Sequence, residues 1–153
     1  MTEQPVPLAR LFAMAYRDFI EQLHERLRER GWQDVRPAFG FVLLAARDED
    51  TTVTTIAELM GATKQAASKL AAAMVEAGYL VQTGDAVDTR RRPLRLTRRG
   101  ARLLAEVEKI YGELESEWAE NIGTTAVERV RRDLTRAISA THGGVMPAVR
   151  PTW

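Results

Sequence analysis

The residues best suited to chemistry in this chain are arginines. Val87 to Gly100 reads Val-Asp-Thr-Arg-Arg-Arg-Pro-Leu-Arg-Leu-Thr-Arg-Arg-Gly, and seven arginines fall within fifteen residues: Arg90, Arg91, Arg92, Arg95, Arg98, Arg99 and Arg102. A guanidinium carries a fixed charge and a planar fork of donors, so this density suits a phosphate backbone or a narrow groove. No catalytic constellation competes with that reading. His24 and His142 are isolated and read as surface residues, and cysteine is absent. The missing thiols exclude disulfides, thiol catalysis and cysteine-rich zinc sites. No His-x-x-His spacing, phosphate-binding glycine loop or paired acid and base is present, so neither a metal, a cofactor nor an enzyme is expected.

Composition sets the frame for those arginines. The chain has 153 residues, 45% of them hydrophobic, which suits one domain with a real core. No apolar run approaches the roughly 18 residues of a membrane span. The N-terminus, Met-Thr-Glu-Gln-Pro-Val-Pro, has neither the basic nor the apolar region of a secretory signal. A cytoplasmic protein is expected. The formal net charge is only +1, yet residues 63–102 carry nine Lys/Arg against Glu76, Asp85 and Asp88, a local +6 that leaves −5 elsewhere. Residues 106–120 hold six glutamates and one lysine. A basic centre between acidic arms implies one surface that faces a polyanion.

Hydrophobic spacing supplies the elements that must hold these groups. After Pro7, the residues Leu8, Leu11, Phe12, Ala15, Phe19, Leu23 and Leu27 predict a long amphipathic helix ending at Gly31. Asp34 to Arg47 reads as a buried second helix, closed by the polar turn Asp48-Glu49-Asp50. Thr52-Val53-Thr54 is a brief β-prone piece, and Thr55 to Glu58 has the capping-box spacing of a short helix that stops at Gly61. Thr63 caps a further helix to about Ala77, with Gly78 after it. Tyr79 to Thr83 and Pro93 to Leu96 read as strands around a loop, Gly84 to Arg92. Thr97 opens a long helix that Gly123 breaks, and Thr125 to Glu128 is a second capping box. It starts a final helix with Val127, Val130, Leu134 and Ile138 inward, and a tail begins at His142.

The middle of this order is a helix-turn-helix. Ile56, Ala57, Met60, Gly61, Ala67 and Leu70 occupy its internal positions, with Ala57 small enough for a close crossing and Gly61 free to take the turn's positive φ. Thr63, Lys64, Gln65, Ser68 and Lys69 are left outward on the second helix, with groups that can meet phosphates and base edges. The outer helices carry more apolar surface than one small domain can cover, so a dimer built from the two chain ends is expected.

From Ile56 to Gly100, and more loosely over about residues 8–140, the chain resembles the MarR family of bacterial winged-helix transcription regulators. The resemblance rests on Gly78-Tyr79-Leu80, Asp85, Asp88-Thr89-Arg90 and Leu96-Thr97-Arg98-Arg99-Gly100. It departs from the family pattern at Gln82, where an arginine is common, at Ala86, where a proline is common, and at Thr83-Gly84. The resemblance implies a homodimer with each recognition helix in a major groove and each wing arginine in a flanking minor groove. It also implies a small aromatic or phenolic effector, for which Tyr16, Phe19, Trp32, Phe39 and Phe41, with Arg17 or Arg36, are candidates besides their core role.

The expected fold is therefore α+β, mostly α: one unit over 1–153, a DNA-binding winged helix-turn-helix over 34–100, and dimerisation helices over 8–33 and 101–140. The expected DNA-binding set is Thr63, Lys64, Gln65, Ser68, Lys69, Asp88, Arg90, Arg91, Arg92 and Arg95. Arg90 suits the negative potential of a narrow minor groove, and Asp88 can orient it by a charge-assisted pair or simply serve the turn. Arg91, Arg92 and Arg95 are phosphate candidates. Arg98 and Arg99 open a helix, where the dipole disfavours a cation, which hints at an external anion. The function expected is sequence-specific binding of double-stranded DNA, with repression relieved by a small ligand. An architectural DNA-binding protein and a winged-helix protein-interaction module are the rival readings.

Overall fold

The computed structural model describes residues 4–84 and 91–152. Among them the order is α1 (Leu8–Glu29), α2 (Pro37–Ala45), α3 (Val53–Met60), α4 (Lys64–Glu76), β1 (Leu80–Gln82), β2 (Leu94–Leu96), α5 (Arg98–Ile122) and α6 (Thr124–Thr141). β1 and β2 pair antiparallel, with Leu80 opposite Leu96, Val81 opposite Arg95 and Gln82 opposite Leu94. The mostly helical winged architecture is the one expected. Two further hydrogen bonds, Thr51 N–H to the Leu94 carbonyl at 2.9 Å and Leu94 N–H to the Thr51 carbonyl at 2.7 Å, attach the segment before α3 to β2.

Local chemistry explains most helix boundaries. Pro37 stands at the start of α2, where its missing N–H costs nothing. That trims the expected helix by three residues and leaves Asp34 outside it. The hydroxyl of Thr63 accepts from the Ala66 N–H, and that of Thr97 from the Gly100 N–H, each 3.0–3.1 Å, so both expected caps form. Two capping expectations are corrected. The cap of α3 is Thr52, accepting from the Thr55 N–H at 3.1 Å, and Val53 is already helical. The expected β-prone piece, Thr52 to Thr54, is instead the cap and first turn of α3, and the isolated β-bridge here falls at Thr51, just before it. Helix α6 begins straight after Gly123 with no side-chain cap, so the Thr125 capping box does not form.

One apolar cluster runs through the molecule. It joins Leu23 and Leu27 of α1, Phe39 and Leu43 of α2, Ile56 of α3, Met74 of α4, Leu80 and Leu94 of the sheet, and Leu103 and Ile110 of α5. Helix α6 contributes nothing buried, and Val130 and Ile138 are exposed. Of the expected inward stripe of α6, Val127 and Leu134 are half-buried, while Val130 and Ile138 face solvent in the single chain. Leu8, Leu11 and Phe12 at the start of α1, and Trp118 and Ile122 at the end of α5, are exposed as well.

Helices α1 and α5 are also tied by charge. Arg26 donates to Glu117 at 2.6 Å and to Glu113 at 3.5 Å, and Arg30 donates to Glu106 and Glu113, both at 2.6 Å. The glutamate-rich stretch of α5 is thus largely a partner for arginines of its own chain. These bonds hold the Glu113 carboxyl below the usual carboxylate range, with Arg30 the main cause.

Gly100 has a steric reason to be glycine. A Cβ there would lie 2.1 Å from the Tyr79 carbonyl oxygen, a backbone atom that has nowhere to go. The close approach lets the Thr97 N–H donate to that same carbonyl at 3.1 Å, which docks the start of α5 on the end of α4. Gly112, also in α5, has open space around it. Gly100→Ala is expected to destabilise the fold by about 1–3 kcal/mol or more through overpacking. Gly112→Ala is expected to stabilise it by about 0.5–1 kcal/mol through helix propensity. Urea denaturation midpoints at unchanged m-value check both signs, and equal effects would refute the steric account.

Candidate nucleic-acid interface

The outward face of α4 has the composition its sequence promised. Lys64, Gln65, Ser68 and Lys69 are all exposed, and no hydrogen bond or ion pair occupies their side chains among the described residues. Ala67 and Ala71 hold the opposite face in the core. Thr63 is exposed too; its oxygen accepts from the Ala66 N–H, which leaves its hydroxyl hydrogen and one lone pair to offer. The α3–α4 turn passes through Gly61 at φ +60°, the left-handed conformation that a side chain disfavours.

A cleft of about 390 Å3 separates α4 from the sheet, lined by Ser68, Ala72, Val75 and Glu76 on one side and Gln82 and Leu94 on the other. Glu76 places a carboxylate at the far end of α4. The cationic groups lie in its first half, at Lys64 and Lys69, so a phosphate backbone is favoured there and disfavoured near Glu76.

The wing candidates divide. Arg95 lies opposite Val81, on the face of the sheet away from buried Leu94. Its guanidinium forms a two-point pair with Asp50, Nε to Oδ1 at 2.9 Å and Nη2 to Oδ2 at 3.0 Å. The pair raises the guanidinium pKa and holds the Asp50 carboxyl below its ordinary range, in each case chiefly through the hydrogen bonds. Asp50 was legible only as part of a polar turn. Its partner is 45 residues away, and nothing in the spacing announces the contact. Arg91 is exposed and Arg92 half-buried, and both are engaged in interactions of their own. Asp88 and Arg90 lie outside the described residues.

Arg99 is held within the fold instead of waiting for an external anion. Its Nε donates to the Ala77 carbonyl at 3.2 Å. That carbonyl belongs to the C-terminal end of α4, whose dipole welcomes a cation and offsets the unfavourable start of α5. The guanidinium carbon also sits 5.1 Å from the Trp32 ring centre and 5.0 Å from that of Tyr79.

The aromatic candidates for an effector site separate in the same way. Phe39 and Phe41 are both buried in core positions. Phe19 packs on Tyr111 and Trp118, with ring centres 6.4 and 5.3 Å apart. Burial pushes the Tyr111 hydroxyl up to about 12. Tyr16 and Arg17, with Phe12, Ile20, Pro37 and Thr152, line an open groove of about 630 Å3. Burial, and secondarily nearby Arg28, lowers the pKa of half-buried His24. No group of three or more His, Cys, Asp or Glu among the described residues could hold a metal ion. No helix among them is long and apolar enough to cross a membrane.

The Thr63 cap carries a measurable share of this geometry. Thr63→Val keeps the shape but removes the acceptor, and is expected to cost about 0.5–2 kcal/mol in global stability by chemical denaturation. An unchanged midpoint would mean that α4 starts without help from its cap.

Comparison with known proteins bears on the same segment. Residues 39–91 match the sequence model of the MarR family. No curated protein matches the chain in sequence. The reduced form of MarR from E. coli has 21% identity and a TM-score of 0.73, covering 88% of this chain and 99% of that one. A transcriptional regulator from Thermotoga maritima has 18% identity and a TM-score of 0.67, covering 92% and 98%. A point mutant of MepR from S. aureus, bound to an oligodeoxyribonucleotide, has 22% identity and a TM-score of 0.60, covering 90% and 99%. Residues 39–91 thus carry the sequence pattern of the MarR family, and the chain shares the winged-helix fold of these solved structures over nearly its whole length.

Proposed function

We propose that this protein is a sequence-specific double-stranded DNA-binding transcription regulator that acts as a homodimer in the cytoplasm. The observation that carries the proposal is the exposed first half of α4, where Lys64, Gln65, Ser68 and Lys69 have no partner among the described residues, on a MarR-type winged helix. Two ammonium groups attract phosphates, while the amide and hydroxyls of Gln65, Ser68 and Thr63 suit base edges in a major groove. The oligonucleotide bound by the MepR mutant supports the same use of the fold. In this reading Arg90 enters a flanking minor groove, oriented by Asp88, and Arg91 and Arg92 add phosphate contacts. Arg95 contributes less than the lysines, because Asp50 already neutralises it.

The dimer is assigned to residues 8–33 and 101–140, and the DNA-reading unit to 34–100. Exposed Leu8, Leu11 and Phe12 of α1 and Val130 and Ile138 of α6 support that assignment, since these apolar side chains are left uncovered by the described residues. A small aromatic or phenolic anion that relieves repression is part of the proposal. The groove beside Tyr16 and Arg17 is its supporting feature. No catalytic step is assigned to the protein.

Two measurements test the assembly and the reading face. Sedimentation at micromolar concentration is expected to give a dimer, and a monomer with intact helices would defeat the two-fold geometry. Selection from random duplex DNA at physiological salt is expected to return inverted half-sites. Enrichment without sequence preference would favour an architectural protein instead. Gln65→Ala and Ser68→Ala are each expected to relax preference at particular base pairs by about 1–3 kcal/mol. Lys69→Ala is expected to weaken all sequences alike and reduce the salt slope by about 1.

The wing is tested by a double-mutant cycle. Arg90→Ala is expected to weaken operator binding mainly at A·T-rich flanks, with little change in melting temperature. Asp88→Ala is expected to do less, and the double variant to be nearly as weak as Arg90→Ala alone, because the pair acts as a unit. Additive losses would give Asp88 a separate role, and full affinity in Arg90→Ala would remove the minor-groove contact.

A further inference from the structure

We propose that Arg99 is the positioning residue at the joint between the α1–α5 layer and the reading unit, and that it fixes the separation at which the recognition helices meet DNA. Its consequence for DNA rests on the regulator reading above; the joint itself does not.

Three parts of the chain converge on this one side chain. Trp32 comes from the turn after α1, where its N–H closes the helix end by donating to the Leu27 carbonyl at 2.9 Å. Ala77 and Tyr79 come from the end of α4 and the entry to β1. Arg99 itself comes from the first turn of α5. Its guanidinium sits against one side of the Trp32–Tyr79 ring pair, at 5.1 and 5.0 Å from ring centres that are themselves 6.2 Å apart, and donates to the Ala77 carbonyl at 3.2 Å. Its stem runs past Gly78, where a Cβ would meet Arg99 Cδ at 3.4 Å. Tyr79 closes the circuit by donating from its hydroxyl to Asp34 Oδ1 at 2.6 Å, back on the turn after α1.

The two sides of this joint are otherwise stiff. Leu23 and Leu27 of α1 share a buried apolar cluster with Leu103, Ile110 and Leu114 of α5, which holds the layer together. On the other side, α3, α4 and the sheet are bound by Ile56, Ala67, Met74 and Leu94 in the core. A rotation of the reading unit against the layer must slide Tyr79 past Trp32, and a guanidinium that touches both rings and is fixed to the Ala77 carbonyl resists that slide. A planar guanidinium can lie against the ring pair while its edge donates to the Ala77 carbonyl, whereas a lysine offers a point charge with no planar face. Arg99 is an exposed residue, so these contacts can open without unfolding the core. In a two-fold dimer, any angle at this joint becomes a doubled displacement of the two recognition helices, and half-site spacing reads that displacement.

The chain has no cysteine, so spin labels can be placed cleanly by Gln22→Cys on α1 and Ala72→Cys on α4, both exposed positions. With labelled protein diluted in unlabelled protein, the distance distribution within one chain is expected to be narrow. It is expected to broaden in Arg99→Gln and Trp32→Leu, and to be intermediate in Arg99→Lys. A distribution as narrow in folded Arg99→Gln as in the parent would overturn the proposal. Should Arg99→Gln fail to fold by circular dichroism, Trp32→Leu decides, since it leaves the bond to Ala77 in place. On DNA, moving the half-sites by one or two base pairs is expected to cost the parent on the order of tenfold in affinity. The cost in Arg99→Gln is expected to be markedly smaller. Equal penalties in parent and variant would also overturn the proposal. Absence of any specific DNA binding by the parent would defeat the regulator reading alone, and the distance distributions would still judge the joint.

Discussion

A tyrosine can be buried completely only if its hydroxyl finds a partner, and the arrangement of this molecule follows from how Tyr79 meets that demand. Its ring is fully buried against Phe39 and Trp32, and its hydroxyl donates to Asp34. Burial is the main reason its pKa is pushed up to about 12, with Asp34 adding to it. The backbone of the same residue is equally committed. Its N–H closes the end of α4 on Met74, and its carbonyl receives the Thr97 N–H against the bare backbone of Gly100. One residue thus fastens the turn after α1, the end of α4, the sheet and the start of α5.

Charge in this chain is organised by pairing more than by number. Arg26 and Arg30 are matched by the glutamates of α5, Arg131 by Glu115 and Glu128, and Arg95 by Asp50. Exposed pairs of this kind contribute little stability each, but they remove cations from the field that a polyanion would feel. Lys64 and Lys69 have no such partner among the described residues. A chain with a formal net charge of +1 can therefore still present a positive face, and that face coincides with the start of α4.

Much of the fold was legible because its signals are local. The caps at Thr63 and Thr97, the left-handed turn at Gly61 and the limits of α4 and α5 depend on residues within a turn of one another. The local signals failed where two of them competed. Thr52 and Thr55 both suit a cap, and the docking of Thr51 on Leu94 selects Thr52 by ending the extended segment one residue before it. At α6, Gly123 turns the chain so abruptly that the helix starts before Thr125 can act.

The sequence by itself determined the winged helix-turn-helix, the outward residues of α4 and the absence of thiol chemistry, because periodicity, caps and composition are properties of neighbours along the chain. Only the tertiary structure decided which arginines remain available. Asp50 and Arg95 are 45 residues apart, and Trp32 and Arg99 come from different helix ends, so no local pattern records their meeting. A charge has the same letter whether it is paired or not, and pairing is a fact of three-dimensional distance.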